Sequence, residues 1–249
     1  MFDYLTYYLK AKSKNSVPSA FVKNFLEEVW EDDRYYYAFD DVKGIDFWLQ
    51  RSQRIVNWRG EKLPINNIYN EVRVLDEIGH RLFYLARTYD CENILEIGSG
   101  LNGIRMLQAT ANTHLHIIDP CQSWTGMIQS FIQNQDWNST VYRCSTQTSA
   151  DDISSILPSI DVVILDLKVQ HKHTITTFAD VLTYLEEGSI IVITNKQVKN
   201  NAVWEMAKSH PKAKLTLDFH QVGFVFLKSK QSKAEHLQLI HSSLKPWSL

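Results

Sequence analysis

Residues 93–103 read N-I-L-E-I-G-S-G-L-N-G, and no other stretch constrains the fold as tightly. Ile94, Leu95 and Ile97 form a short apolar run interrupted by Glu96, and Gly98, Gly100 and Gly103 follow with the spacing G-x-G-x-x-G. This composition suits a buried parallel strand that turns sharply into a helix, because glycine tolerates positive φ and its missing side chain lets a ligand approach the backbone. The helix opening near Gly103 is expected to aim free N–H groups at that ligand.

The glycine spacing alone fits a nicotinamide or flavin fold as well as an adenosylmethionine fold, or a strand end with no ligand. Glu96 separates these readings. A carboxylate beside the first glycine suits a ligand with a cationic amine and repels the pyrophosphate of a dinucleotide.

After the glycines the chain alternates. Strands are predicted at 93–97, 114–118, 140–143, 161–165 and 189–194, with helices near 103–111, 124–134, 150–156 and 174–186. Gly188 suits a helix-ending position. Such alternation makes a parallel, doubly wound sheet with helices on both faces, a Rossmann-like α/β fold. A helix over 201–210 precedes strands at 215–219 and 224–227. Their link, His220-Gln221-Val222-Gly223, is too short for a parallel crossover, so an antiparallel hairpin closes the sheet.

Residues 1–66 read as a helical, aromatic-rich extension, 67–231 as the main domain and 232–249 as a tail that begins as a helix. Pro18 suits a helix start, and Phe21, Phe25, Leu26, Val29 and Trp30 fall on one face. The tyrosines of 35–41 are expected to pack between the extension and the main domain. Arg51, Arg54, Trp58 and Arg59 lie in a polar connection that reads equally as a lid or a surface loop. From 67 to 89 the periodicity of Ile68, Val72, Leu75, Ile78, Leu82 and Leu85 predicts one amphipathic helix.

Charge and cysteine usage narrow the function classes. The 249 residues carry 26 basic and 28 acidic side chains, a net charge of −2, so no overall field draws the chain to nucleic acid or an anionic membrane. Lys10, Lys12 and Lys14 read as a solvated loop. No apolar run is long enough to span a bilayer, and the first nine residues lack the pattern of a signal peptide. Three widely spaced cysteines, Cys91, Cys121 and Cys144, show no metal-ligand pattern and fit a reducing cytoplasm.

The glycine turn, I-I-D-P at 117–120, I-L-D at 164–166 and the terminal hairpin together resemble a class I S-adenosylmethionine-dependent methyltransferase over residues 67–228. The segments Y-L-K-A-K, R-Y-Y-Y-A-F-D and D-F-H-Q-V-G-F-V-F are similar to a group of bacterial O-methyltransferase-like proteins. The resemblance implies S-adenosylmethionine as cofactor. Gly98, Ser99, Gly100 and Gly103 would pass beneath its methionine part and ribose, with Glu96 near the ammonium. Asp119, 21 positions after Gly98, would accept the ribose hydroxyls. Ser145 and Thr146 would face the adenine. Asp166 would end the fourth strand in the crevice, and His171 or His173 on the following loop would take a proton from a hydroxyl nucleophile.

The departures from the family are informative. Metal-dependent O-methyltransferases place carboxylates at the ends of the fourth and fifth strands, together with an Asn. Here the fifth strand ends Thr194-Asn195-Lys196, a poor cage for a hard cation and one that Lys196 opposes by charge, so no metal is expected. The fourth strand lacks the N-P-P-Y type sequence of enzymes that methylate base nitrogens. The expected activity is methyl transfer to a small-molecule acceptor, at oxygen. A non-catalytic descendant acting by ligand or partner binding is the alternative, and a nicotinamide oxidoreductase is a third.

Overall fold

The computed structural model describes residues 2–110, 113–118, 122–133, 143–147, 157–169, 174–196, 202–227 and 234–245. At its centre is an eight-stranded sheet. Its strands are β3 (Asn93–Ile97), β4 (His114–Ile118), β5 (Arg143–Gln147), β6 (Val162–Asp166), β7 (Ile190–Thr194), β8 (Leu215–Asp218), β9 (Gly223–Phe226) and β10 (Glu235–Gln238). The order across the sheet is β10-β8-β9-β7-β6-β3-β4-β5. Only β9 runs against the rest: it is antiparallel to β7 and to β8. Runs of β-branched residues buried on both faces, such as Ile190–Thr194, make these strands.

One face carries α5 (Asp76–Thr88) and α6 (Leu101–Met106), and the other carries α8 (Thr174–Tyr184) and α9 (Ala202–Lys208). On each central strand, alternate residues feed the two cores: Ile94, Val162 and Ile164 one, Leu95, Val163 and Leu165 the other. No helix among the described residues is long and apolar enough to cross a membrane.

The N-terminal residues are built into the first of these cores. After α1 (Phe2–Lys10), the N-cap Ser19 opens α2 (Ala20–Phe25), which runs on as a π-helical turn, Leu26–Trp30. Trp30 stacks on Phe219, with ring centroids 3.7 Å apart, and Phe25 meets Phe224 and Phe226 edge to face. In α3 (Ala38–Arg51), Phe39 stacks on His80 of α5. Of the three consecutive tyrosines, Tyr36 packs on Phe83 and Tyr84 as expected, whereas Tyr35 and Tyr37 are exposed.

Several boundaries differ from those read in the sequence. The connection before Pro64 is a β-hairpin, β1 (Ile55–Trp58) and β2 (Glu61–Pro64), turned at Arg59 and Gly60, both with positive φ. The single helix expected over 67–89 is two, α4 (Ile65–Val72) and α5, parted at Arg73-Val74-Leu75. The break turns Val74 inward and leaves Leu75 half-exposed, and it lets Asp76 and Glu77 open α5, where acids suit the helix dipole.

Residues 143–147 form the third strand of the alternation, although 140–143 was expected. Pairing against β4 selects this register, with Leu115 opposite Cys144. Residues 140–142, and the helix expected at 150–156, lie outside the described residues. Helix α8 ends at Tyr184, so Gly188, with φ +110°, serves the turn into β7. Over its described residues, 234–245, the tail carries a strand where a helix was expected: β10 adds parallel to β8 outside the expected hairpin, because Leu237 has a place in the core and Lys12 bridges to Leu239. Lys14 pairs with Glu27 at 2.6 Å, so the basic cluster is partly engaged.

Candidate functional site

The turn from β3 into α6 is held from within. Glu96 Oε1 accepts hydrogen bonds from the Gly100 N–H at 2.9 Å and from Asn102 Nδ2 at 3.3 Å, and Oε2 accepts from the Gly103 N–H at 2.6 Å. At the opening of α6, whose N–H groups are expected to face a ligand, Gly100 and Gly103 thus donate to Glu96, and the Leu101 N–H donates to Ser99 Oγ at 3.3 Å. Full burial pushes the Glu96 carboxyl up to about 7, against the pull of these donors. Both of its oxygens accept hydrogen bonds from within the fold.

The glycines answer to geometry. Gly100 adopts the left-handed region at φ +83°, and a Cβ there would stand 2.6 Å from Ile117 Cδ1. A Cβ on Gly103 would meet Leu115 Cδ1 at 2.2 Å, so the third glycine lets α6 lie directly on β4. Gly98 differs. A Cβ there would make ordinary contacts, with Glu96 Oε1 at 3.4 Å and Asp166 Cβ at 3.7 Å, so the first glycine lies directly against both acidic side chains at the strand ends.

Asp166 ends β6 and is fully buried. Its Oδ1 accepts from the Lys168 N–H at 2.9 Å and from Asn195 Nδ2 at 2.7 Å, and its Oδ2 accepts from Asn102 Nδ2 at 3.4 Å. Burial raises its carboxyl, opposed by these donors. Asn195, at φ +56°, sits just past β7. Asn102 therefore bridges the two buried carboxylates, and its Oδ1 is buried with no hydrogen-bond partner among the described residues. A buried, unpaired amide oxygen at this point is a polar group still owed a partner.

Lys196, next along the chain after Asn195, is engaged elsewhere on the sheet. Its ammonium pairs with Asp218 at 2.5 Å and lies 4.4 Å from the centroid of the Trp204 ring. Asp218 captures it because the end of β8 lies on the same sheet edge.

Several supporting residues were not singled out from the sequence. Trp124, in α7 (Gln122–Gln133), donates Nε1–H to the Ser99 carbonyl at 2.9 Å, and the buried Trp58 of the β1–β2 hairpin packs against its ring. The hairpin thus props the glycine turn. Arg105 donates to the Leu101 carbonyl at 2.8 Å and to Asp46 of α3 at 2.7 Å, which ties α6 to the N-terminal helices. A polar residue set in an otherwise apolar stretch, as Asn102 and Arg105 are, was the available signal.

The structure brings Glu96, Gly98, Ser99, Gly100, Gly103 and Asp166 together at the carboxyl ends of β3 and β6, where ligands of open α/β sheets bind. Ser145 and Thr146 lie within β5, paired with His116 and Ile117 rather than on a loop beyond the strand. Asp119, His171 and His173 lie outside the described residues.

Residues 95–195 match the family of methyltransferase domains. No curated protein matches the chain. Among solved structures, the O-methyltransferase from Bacillus cereus in complex with SAH is 15% identical, with a TM-score of 0.50, over 82% of this chain and 96% of its own. A methyltransferase from Geobacter sulfurreducens is 13% identical with a TM-score of 0.51, over 86% and 98%. An SAH-bound methyltransferase from Podospora anserina is 12% identical with a TM-score of 0.50, over the same two shares. The fold of the chain is that of the class I methyltransferases.

Proposed function

We propose that this chain transfers a methyl group from S-adenosylmethionine to an oxygen of a small-molecule acceptor. The observation that carries the reading is the Gly98–Gly103 turn, locked by Glu96 and lying beside the buried Asp166 at the carboxyl ends of β3 and β6. The Asn102 oxygen, without a hydrogen-bond partner among the described residues, supplies a buried acceptor beside both carboxylates. These features fit a ligand with a cationic amine. The match of residues 95–195 to methyltransferase domains supports the same conclusion.

When bound, S-adenosylmethionine supplies an electrophilic methyl on a sulfonium. The chain's own task is then to align and to remove a proton. Glu96 fixes the turn that passes beneath the methionine part, and Asp119 is assigned the ribose hydroxyls. Asp166 fixes Asn195 and, through Asn102, the start of α6. Proton removal is assigned to His171, with His173 second. No metal is assigned a role.

A non-catalytic, ligand-binding reading is favoured by one observation: both Asp166 oxygens already accept hydrogen bonds from the chain. Calorimetry with S-adenosylmethionine and NAD, followed by detection of adenosylhomocysteine in the presence of candidate acceptors, tests both. Binding and product formation are expected. Binding without product from any acceptor would favour the second reading, and binding of NAD would exclude both.

A further inference from the structure

The sheet edge that carries Asp166 continues into a cavity that the glycine turn does not use. Strands β7 and β8 are both antiparallel to β9 and so end on the same edge. Directly past β8, Phe219 and His220 line a cavity of about 170 Å³ together with Tyr4, Tyr7, Trp30 and Glu77. The two regions share a wall. The Lys196 N–H, next to Asn195, donates to the Gln221 carbonyl at 3.0 Å, and Gln221 also lines the cavity. On α5, Glu77 and Ile78 face the cavity while Gly79 packs against Arg105 of α6.

The lining specifies its occupant. Benzene fits an apolar cavity of about 150 Å³, so this volume suits one aromatic ring. His220 takes φ +64° in the tight turn between β8 and β9, with its ring edge-on to Tyr4 and Tyr7 at 5.1 and 5.0 Å. Among the described residues no lysine or arginine lines the cavity, and Glu77 contributes a carboxylate, so an anionic group would meet repulsion there.

We propose that this cavity receives a single aromatic ring, neutral or cationic, at the end of the methyl acceptor remote from its accepting oxygen. The proposal rests on the methyl-transfer reading above. Adjacent strands lie about 4.8 Å apart, so β8 stands on the order of 10–15 Å from the ends of β7 and β6. The accepting oxygen and the ring are separated by that span.

The test is calorimetric titration of the full chain with benzyl alcohol, benzylamine, benzoate and cyclohexylmethanol, and separately with adenosylhomocysteine. Benzyl alcohol and benzylamine are expected to bind, and benzoate about tenfold more weakly. Tyr4→Ala, at a side chain nearly half exposed, is expected to weaken both ring probes about tenfold while leaving the melting temperature unchanged. Should Tyr4→Ala not fold, Glu77→Gln at the exposed first turn of α5 reads the same site and is expected to erase the discrimination against benzoate. Undiminished ring binding in Tyr4→Ala, unaltered discrimination in Glu77→Gln, or equal binding of cyclohexylmethanol would overturn the assignment. Adenosylhomocysteine binding without ring binding overturns the cavity alone. Ring binding without adenosylhomocysteine binding overturns the link to methyl transfer.

Discussion

Glu96 Oε2 lies 2.6 Å from the backbone nitrogen of Gly103, and its other oxygen holds Gly100, so one buried carboxylate closes the turn that leads into α6. Replacing it with alanine strands two buried N–H groups and the Asn102 amide. Each unsatisfied group costs about 1–3 kcal/mol. Glu96→Ala is therefore expected to lower unfolding free energy by several kcal/mol in urea denaturation, and Glu96→Gln by less. Equal stability of Glu96→Ala and the parent chain would show that the turn is held by other means.

The same carboxylate makes stability depend on pH. Its pKa is raised by burial from 4.5 to about 7, so the folded state holds this proton more tightly than the unfolded chain. Stability from this group is fully present below about pH 4.5 and is lost as pH rises through about 7, by no more than about 3 kcal/mol. Denaturation at pH 5.5 and 8, with Glu96→Gln as control, should show a fall in the parent chain that the variant lacks. A fall of the same size in both would assign it elsewhere.

Gly103→Ala tests the seating of α6 on β4. The added methyl would fall 2.2 Å from Leu115 Cδ1, and overpacking of this kind costs about 1–3 kcal/mol. Combining it with Leu115→Ala should recover part of that loss, because the clash is with that side chain. An additive double mutant would contradict the packing described.

The Asp46–Arg105 pair ties the N-terminal helices to α6, and both side chains are largely buried. Removing one partner of a buried pair costs about 3–5 kcal/mol, whereas an exposed pair contributes about 0–1 kcal/mol. Asp46→Ala should fall in the first range by urea denaturation. Because Phe25, Trp30 and Leu49 share a core with Phe224, deletion of residues 1–66 should yield an aggregating chain. A soluble, cooperatively folding fragment would contradict this.

How much of this was legible beforehand depended on how local the cause was. The apolar run and glycines of 93–103 specify β3 and its turn within eleven residues, and the four-residue link at 220–223 forces an antiparallel pair. The break at 73–75 contains no glycine or proline and follows from which of Val74 and Leu75 reaches the core. Strand β10 offers one buried apolar residue, Leu237, and exists through its ladder with β8. Within the site, Asn102 gains its role from Asp166, 64 positions away. The direction of Lys196 follows from Asp218 and Trp204, which no local pattern connects.

Turnover should not depend on divalent metal, since the Asp166 oxygens are already engaged by N–H donors and Asn195 is neutral. Once an acceptor is found, activity should be equal in chelator and in added magnesium. Activity that vanishes in chelator and returns with magnesium would refute this.

The most direct measurement is calorimetric titration of the parent chain and Gly100→Val with S-adenosylmethionine, adenosylhomocysteine and NAD. Gly100 has φ +83°, and its Cβ would meet Ile117 at 2.6 Å, so valine must deform the turn. The account predicts saturable binding of S-adenosylmethionine and adenosylhomocysteine to the parent, loss of both in the variant and no binding of NAD. Binding of NAD, or no binding of either adenosyl ligand by the parent chain, would contradict it.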